Sequence, residues 1–212
     1  MRGKSYRDFV VLTILFIILI SILAYEPNTI YTVSGKSIKK TKSLTLTFPR
    51  PLIKKAVIGK REFDVVRIPG TKLCLVPGAP IIPVRVEVIK LPLECRNISI
   101  RYSFKLETLR GKYKLLPTPL PQILEKRSGK EIYVEDPFIY NSSEPYPKNL
   151  VVYEIKRGID PLTLERIRYL IIRLYPVQYI PREGVIRYMS QVELNIEYER
   201  YLILQYLSLI HI

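Results

Sequence analysis

"ISIRYSFKLET", residues 98 to 108, alternates without a break: Ile98, Ile100, Tyr102, Phe104 and Leu106 share one side, and Ser99, Arg101, Ser103, Lys105 and Glu107 share the other. Successive side chains of an extended chain point to opposite faces, so this period of two predicts a strand with one face on a core and one in water.

The same period recurs along the chain. In "SLTLTF" (43 to 48) Leu44, Leu46 and Phe48 oppose Ser43, Thr45 and Thr47. "FDVVRI" (63 to 68) and "KLCLV" (72 to 76) flank a Pro69-Gly70 turn signal. In "PGAPIIPVRVEVIKL" Val84, Val86 and Val88 are expected inward, with Arg85 and Glu87 outward. In "VVYEIKRGI" Val151, Tyr153 and Ile155 alternate with Glu154 and Lys156. Ile167, Tyr169 and Ile171 face one way and Leu170, Ile172 and Leu174 the other, which predicts a central strand buried on both sides. Its expected partner carries Ile186, Tyr188, Val192, Leu194, Ile196 and Tyr198 on one face. No stretch after residue 24 shows a 3.6-residue period with helix caps. The expected fold is an all-β, antiparallel β-sandwich of roughly eight to ten strands, preceded by an N-terminal hydrophobic signal or anchor helix.

One segment breaks the pattern. Residues 115 to 149 hold Pro117, Pro119, Pro121, Pro137, Pro145 and Pro147. So many missing donors exclude a central strand and predict a long, partly extended surface connection, either functional or a crossover between sheets.

The ends set the compartment. Arg2, Lys4 and Arg7 precede an apolar run from Phe9 to Ala24, the pattern of an export signal. At that length it is either cleaved after Ala24 or retained as a membrane anchor, and the exported chain is expected outside the cell or at its surface. The organisation is thus signal or anchor 1–24, polar linker 25–42, β-sandwich 43–201 and an apolar tail 202–212. That tail reads as a last strand, the entry to a further domain, or the remnant of a premature stop. Export makes Asn97-Ile98-Ser99 and Asn141-Ser142-Ser143 candidate glycosylation acceptors, and Cys74 with Cys95 a candidate disulfide, against the alternative of two buried thiols.

Catalytic vocabulary is sparse. Among 212 residues His211 is the one histidine, and it is penultimate, so any Cys-His or Ser-His mechanism would have to route through it. Glu135 and Asp136 are adjacent and point apart, while Glu193, Glu197 and Glu199 lie on the solvent face of one strand, which argues against a paired-carboxylate glycosidase. Neither a catalytic residue, a metal site nor a cofactor is expected. The 34 Lys+Arg against 19 Asp+Glu give a formal charge of +15, but the basic residues are spread among acids instead of clustered. A solvated basic surface is read, and no nucleic-acid partner.

Taken in order, "PGAPIIPV", "RVEVIKLP", "GKYKLLPTPLP", "PYP", "VVYEIKRG" and "RLYPVQYIPREGVIRYMSQVELNIEYE" resemble the amino-terminal propeptide domain of gingipain-type cysteine peptidases, over roughly residues 44 to 200. The resemblance implies a β-sandwich prodomain that helps a peptidase domain fold and keeps it latent until cleavage. It further implies a loop offering a basic residue to the specificity pocket, for which Lys126, Arg127 and Lys130 are the candidates. The implied partner is a cysteine peptidase domain, in cis of a longer precursor or in trans; the membrane is a second partner if the N-terminal segment is uncleaved. The rival expectation is a cell-envelope adhesion or carbohydrate-binding sandwich, which needs an exposed row of tyrosines; Tyr102, Tyr153, Tyr188 and Tyr198 are instead expected in the core.

Overall fold

The computed structural model of the chain describes residues 36–121 and 131–202. In chain order the strands are β1 (Lys36–Thr47), β2 (Leu52–Ile58), β3 (Arg61–Arg67), β4 (Lys72–Cys74), β5 (Ile82–Pro92), β6 (Arg96–Thr108), β7 (Val151–Ile159), β8 (Arg166–Leu174), β9 (Val177–Ile180) and β10 (Val185–Leu202). A single helical turn, α1 (Pro137–Tyr140), precedes β7. One sheet has the order β1-β10-β6, with β9 also paired to β10; a second has the order β4-β5-β8-β7; and β2-β3 form a separate hairpin. The six pairings whose register is resolved are all antiparallel.

The core lies between the two larger sheets. Leu170, Ile172 and Leu174 of β8 and Val192, Leu194 and Ile196 of β10 are buried in one cluster. Burying each such side chain contributes about 1.5–3 kcal/mol. Strand β8 is central, as its two apolar faces require. It does not pair with β10, however. The chain changes sheets at Tyr175-Pro176, so β8 packs across from β10, and the partner of β10 in the closing hairpin is the four-residue β9. All six expected core residues of β10 are buried. A register shift between Met189 and Gln191 buries Met189 as well.

Three readings of side-chain direction are corrected. On β5 the inward face carries Arg85, Glu87, Ile89 and Leu91, opposite Leu174, Ile172, Leu170 and Arg168, and Val86 and Val88 are exposed. The β8 register decides this, and the Arg85–Glu87 ion pair at 2.7 Å lets two charges occupy the inner row near its end. On β6, Tyr102, Phe104 and Leu106 are 45, 40 and 37% exposed because β6 is the outermost strand of its sheet. Tyr153 of β7 is exposed for the same reason, whereas Tyr188 and Tyr198 are buried. The two exposed tyrosines belong to different sheets, so among the described residues no tyrosine row forms.

Strand β2 went unread because Leu52, Ile53, Ala56, Val57 and Ile58 do not alternate. Its turn into β3 uses Gly59 at φ +63°. Strand β1 begins at Lys36, ahead of the alternating stretch that starts at Ser43.

Cys74 and Cys95 are free thiols. Cys74 pairs with Ile82 at one end of β5, and Cys95 follows the turn at its other end. Ten residues of strand separate the ends by about 33 Å at ~3.3 Å per residue. A disulfide needs Cα atoms within about 7 Å, so the candidate bridge does not form.

Candidate functional site

The proline-rich connection is extended and bonded along one edge. In "LLPTPLP" the prolines fall at every second residue, so from Leu116 onward the remaining N–H groups, on Leu116, Thr118 and Leu120, all point the same way. Leu116 donates to Asp64 (3.0 Å), Thr118 to Ala79 (2.8 Å) and Leu120 to Ile132 (2.8 Å). Proline is tolerated where no donor is needed, and here the sequence places it at those positions.

Asp64 anchors the start of this run. Its buried carboxylate accepts from the Lys114 backbone N–H at 2.8 Å and pairs with Lys55 Nζ at 3.0 Å. That pairing, followed by the one with Glu62, pushes the Lys55 ammonium pKa up. Gly78 then joins the two limbs of the connection: it donates to the Thr118 carbonyl and accepts from Asp136, both at 3.0 Å. Gly78 sits at φ +78°, and a Cβ there would meet Asp136 Cβ at 3.4 Å. The contact is an ordinary packing distance, so it is the left-handed φ that favours glycine here.

The descending limb ends in α1. Asp136 caps it, accepting from the Phe138 N–H at 2.9 Å, and Pro137 occupies the first turn where its missing donor costs nothing. Tyr140 donates its hydroxyl to the Leu115 carbonyl at 2.7 Å, and burial holds this phenol far above its usual range. Phe138, on the other side of the turn, is 90% exposed. Leu75, Val76, Ile132 and Val134 are exposed on the neighbouring limbs, which the Gly78, Thr118 and Leu120 bonds hold side by side. The result is a platform of solvent-facing apolar side chains, carried on backbone limbs that these bonds hold together on either side of the interval 122–130. Lys126, Arg127 and Lys130 fall in that interval and lie outside the described residues.

The closing hairpin backs the platform. Tyr179, whose placement the sequence pattern leaves open, is 1% exposed and donates to the Tyr113 carbonyl at 2.9 Å. Its backbone exchanges two 2.7 Å bonds with Tyr146, whose phenol burial pushes up to about 12. Gly184, at φ +63°, brings the 181–184 turn against the Tyr113 backbone, where a Cβ would lie 3.0 Å from the Tyr113 oxygen. Lys112 caps the same turn through the Glu183 carbonyl at 2.6 Å. Between turn and platform a shallow cleft is lined by Lys112, Lys114, Glu135, Tyr140 and Arg182. Glu135 is held there by Lys114 at 2.7 Å and Arg61 at 3.5 Å.

The glycosylation candidates differ in setting. Asn141 is exposed as the C-terminal cap of α1, and Asn97 is exposed at φ +50°, its amide donating to Glu199 at 2.9 Å. Cys95 is buried, and desolvation pushes its thiol pKa up, the opposite of what a nucleophile needs. Among the described residues no group of three or more His, Cys, Asp or Glu is placed to hold a metal ion. What the surface offers chemically is binding: exposed apolar side chains and a mixed-charge cleft. Sequence periodicity missed the platform because its residues come from three limbs that meet through backbone bonds.

Comparison with known proteins gives this surface its context. The structure is similar to that of a complex of Porphyromonas gingivalis RgpB pro- and mature domains, with a TM-score of 0.61 and 15% identity over 74% of this chain and 78% of that one. It is similar also to a structure that addresses zymogenic latency of gingipain K from Porphyromonas gingivalis, with a TM-score of 0.60 and 17% identity over 78% of this chain and 100% of that one. No curated protein matches the sequence. At these identities the structural likenesses carry the fold, while the family model Propeptide_C25 matches residues 34–202, the whole β-sandwich. The chain belongs to the C25 propeptide family, the propeptides of gingipain-type cysteine peptidases.

Proposed function

We propose that this chain keeps a gingipain-type cysteine peptidase latent, docking on it through the platform around residues 122–130. The observation that carries the reading is the family match across the entire sandwich, 34–202, combined with an exposed aromatic side chain, Phe138, on the limb that follows residues 122–130. Interfaces derive most of their energy from a few aromatic and apolar side chains ringed by polar groups, and exposed Phe138, two residues after Asp136, offers such a side chain.

Within this reading Lys126, Arg127 and Lys130 are the basic residues presented to the specificity pocket. The N-terminal segment delivers the module to the cell exterior or surface, and the peptidase domain is supplied either in cis or in trans. The test is inhibition of a purified C25-family cysteine peptidase by the full chain. Competitive inhibition with slow release is expected, weakened by joint alanine substitution of Lys126, Arg127 and Lys130. Absence of both inhibition and complex formation on gel filtration would overturn it.

A further inference from the structure

Among the described residues strand β6 has one open edge. It pairs with β10 along one side, and among the described residues nothing pairs with the other. Tyr102 and Phe104 lie opposite Leu194 and Val192, which are buried, yet themselves remain substantially exposed. Their rings stack with centroids 6.2 Å apart and planes at 14°, so the pair is an ordered apolar surface at the sheet margin. Among the described residues no strand occupies the outer side of Asn97 to Thr108, and an edge strand with an apolar row is a template for a further strand.

The strand's own sequence selects the occupant. An antiparallel two-fold pairing of β6 with a second β6 brings residue i opposite residue j with a constant sum. With the axis at Phe104, Phe104 faces itself, Tyr102 faces Leu106, Ser103 faces Lys105, and Arg101 faces Glu107 twice. Moving the axis to Ser103 opposes Arg101 to Lys105; moving it to Lys105 opposes two lysines. An axis at Tyr102 makes no charge pair. Registers with an odd sum put apolar residues opposite polar ones and mismatch the faces. Opposite charges across strands stabilise a pairing and like charges destabilise it. An axis at Leu106 also opposes Lys105 to Glu107 twice, but it overlaps only residues 104 to 108 of the strand against 100 to 108 for the Phe104 axis, so charge and overlap together select the Phe104 axis. Arg101 already pairs with Glu197, and Glu107 accepts from Tyr188 at 2.7 Å. These contacts hold both side chains in place while the guanidinium retains further N–H groups for a second carboxylate.

We propose that β6 is a homodimerisation edge, joining two copies of this chain into one continuous sheet about a two-fold axis at Phe104. The formal charge of +15 opposes association at low ionic strength, so the test belongs at physiological salt, where the screening length is about 8 Å. The full chain is used in non-ionic detergent, which removes association through the apolar residues 9 to 24. Sedimentation velocity is expected to show a concentration-dependent dimer, weakened at least tenfold by Phe104→Asp with an unchanged circular dichroism spectrum. Phe104→Cys is expected to form a disulfide-linked homodimer on mild oxidation, because the axis places the two positions face to face; Ser103→Cys is not. A monomer throughout, or a dimer indifferent to Phe104→Asp together with no cross-link through position 104, overturns the proposal. So does cross-linking of position 104 to a peptidase domain in preference to a second copy.

Discussion

The hydroxyl of Tyr140 donates to the carbonyl of Leu115 across the proline-rich connection at 2.7 Å, tying α1 to the strand-like run that starts the crossing. Leu115 is fully buried, so removing the donor leaves an acceptor with no access to water. Tyr140→Phe is expected to lower the unfolding free energy by about 1–3 kcal/mol in urea titration, with the fold retained.

Gly78 joins both limbs of the same connection in the left-handed region. Gly78→Ala is expected to cost about 1–2 kcal/mol, since an L side chain is strained at φ +78° whatever space surrounds it. Asp136→Ala, which removes the cap of α1, should cost about 1 kcal/mol. If the platform is the docking surface, both substitutions also weaken peptidase inhibition, by loosening the base of residues 122–130. A variant destabilised to the same extent elsewhere, such as Ile196→Val, serves as the control and leaves inhibition intact.

Phe138→Ala separates stability from binding. The side chain is almost wholly in solvent, so urea unfolding should shift by less than about 0.5 kcal/mol. Loss of a central anchor should weaken peptidase binding by about tenfold or more, read by titration of inhibition.

Acid should destabilise the sandwich through specific carboxylates. Lys90, and then the Leu162 N–H, hold the Asp160 carboxyl below its usual range. Arg173, and then Lys156, do the same for Glu154, and Lys39, followed by Arg101, for Glu197. A depressed carboxyl binds fewer protons folded than unfolded. Its stabilisation is present above the unfolded value near pH 4 and is lost as pH falls through the folded value. The urea midpoint is therefore expected to hold from neutrality to about pH 5 and to drop below about pH 4. Asp160→Asn should begin lower at neutrality and fall less steeply on acidification.

Thiol chemistry checks the cysteines. Without reductant, denatured protein should titrate as two free thiols. In the native state Cys95 should resist alkylation because it is buried and its thiol pKa is raised, and half-buried Cys74 should react first. Recovery of an intact disulfide would contradict the separation of the two residues along β5.

Most strands were legible because burial on one face writes itself into the chain as alternation. On β10, flanked on both sides, the six expected core residues are buried; on β8, Leu170, Ile172 and Leu174 are buried, while Ile167, Tyr169 and Ile171 on the other face are half-buried. Alternation names which side chains share a face, but position in the sheet decides whether that face is covered. Ile98 to Leu106 form a flawless apolar row, yet its outer half is in solvent because β6 is terminal. Val86 and Val88 point outward because pairing with β8 sets the phase of β5, and a shift of one residue reverses every side chain. The platform was invisible for a related reason: Leu75 is far in the chain from Ile132 and Phe138, and their limbs are joined only through the backbone bonds of Gly78, Thr118 and Leu120. The sequence by itself determined an antiparallel β fold, its turns and its family, since these rest on local period, glycine and proline chemistry and the order of motifs. Which strands are edges, which cysteines can meet and which apolar residues face solvent were decided by the tertiary structure alone, because each depends on contacts between residues that sequence distance does not constrain.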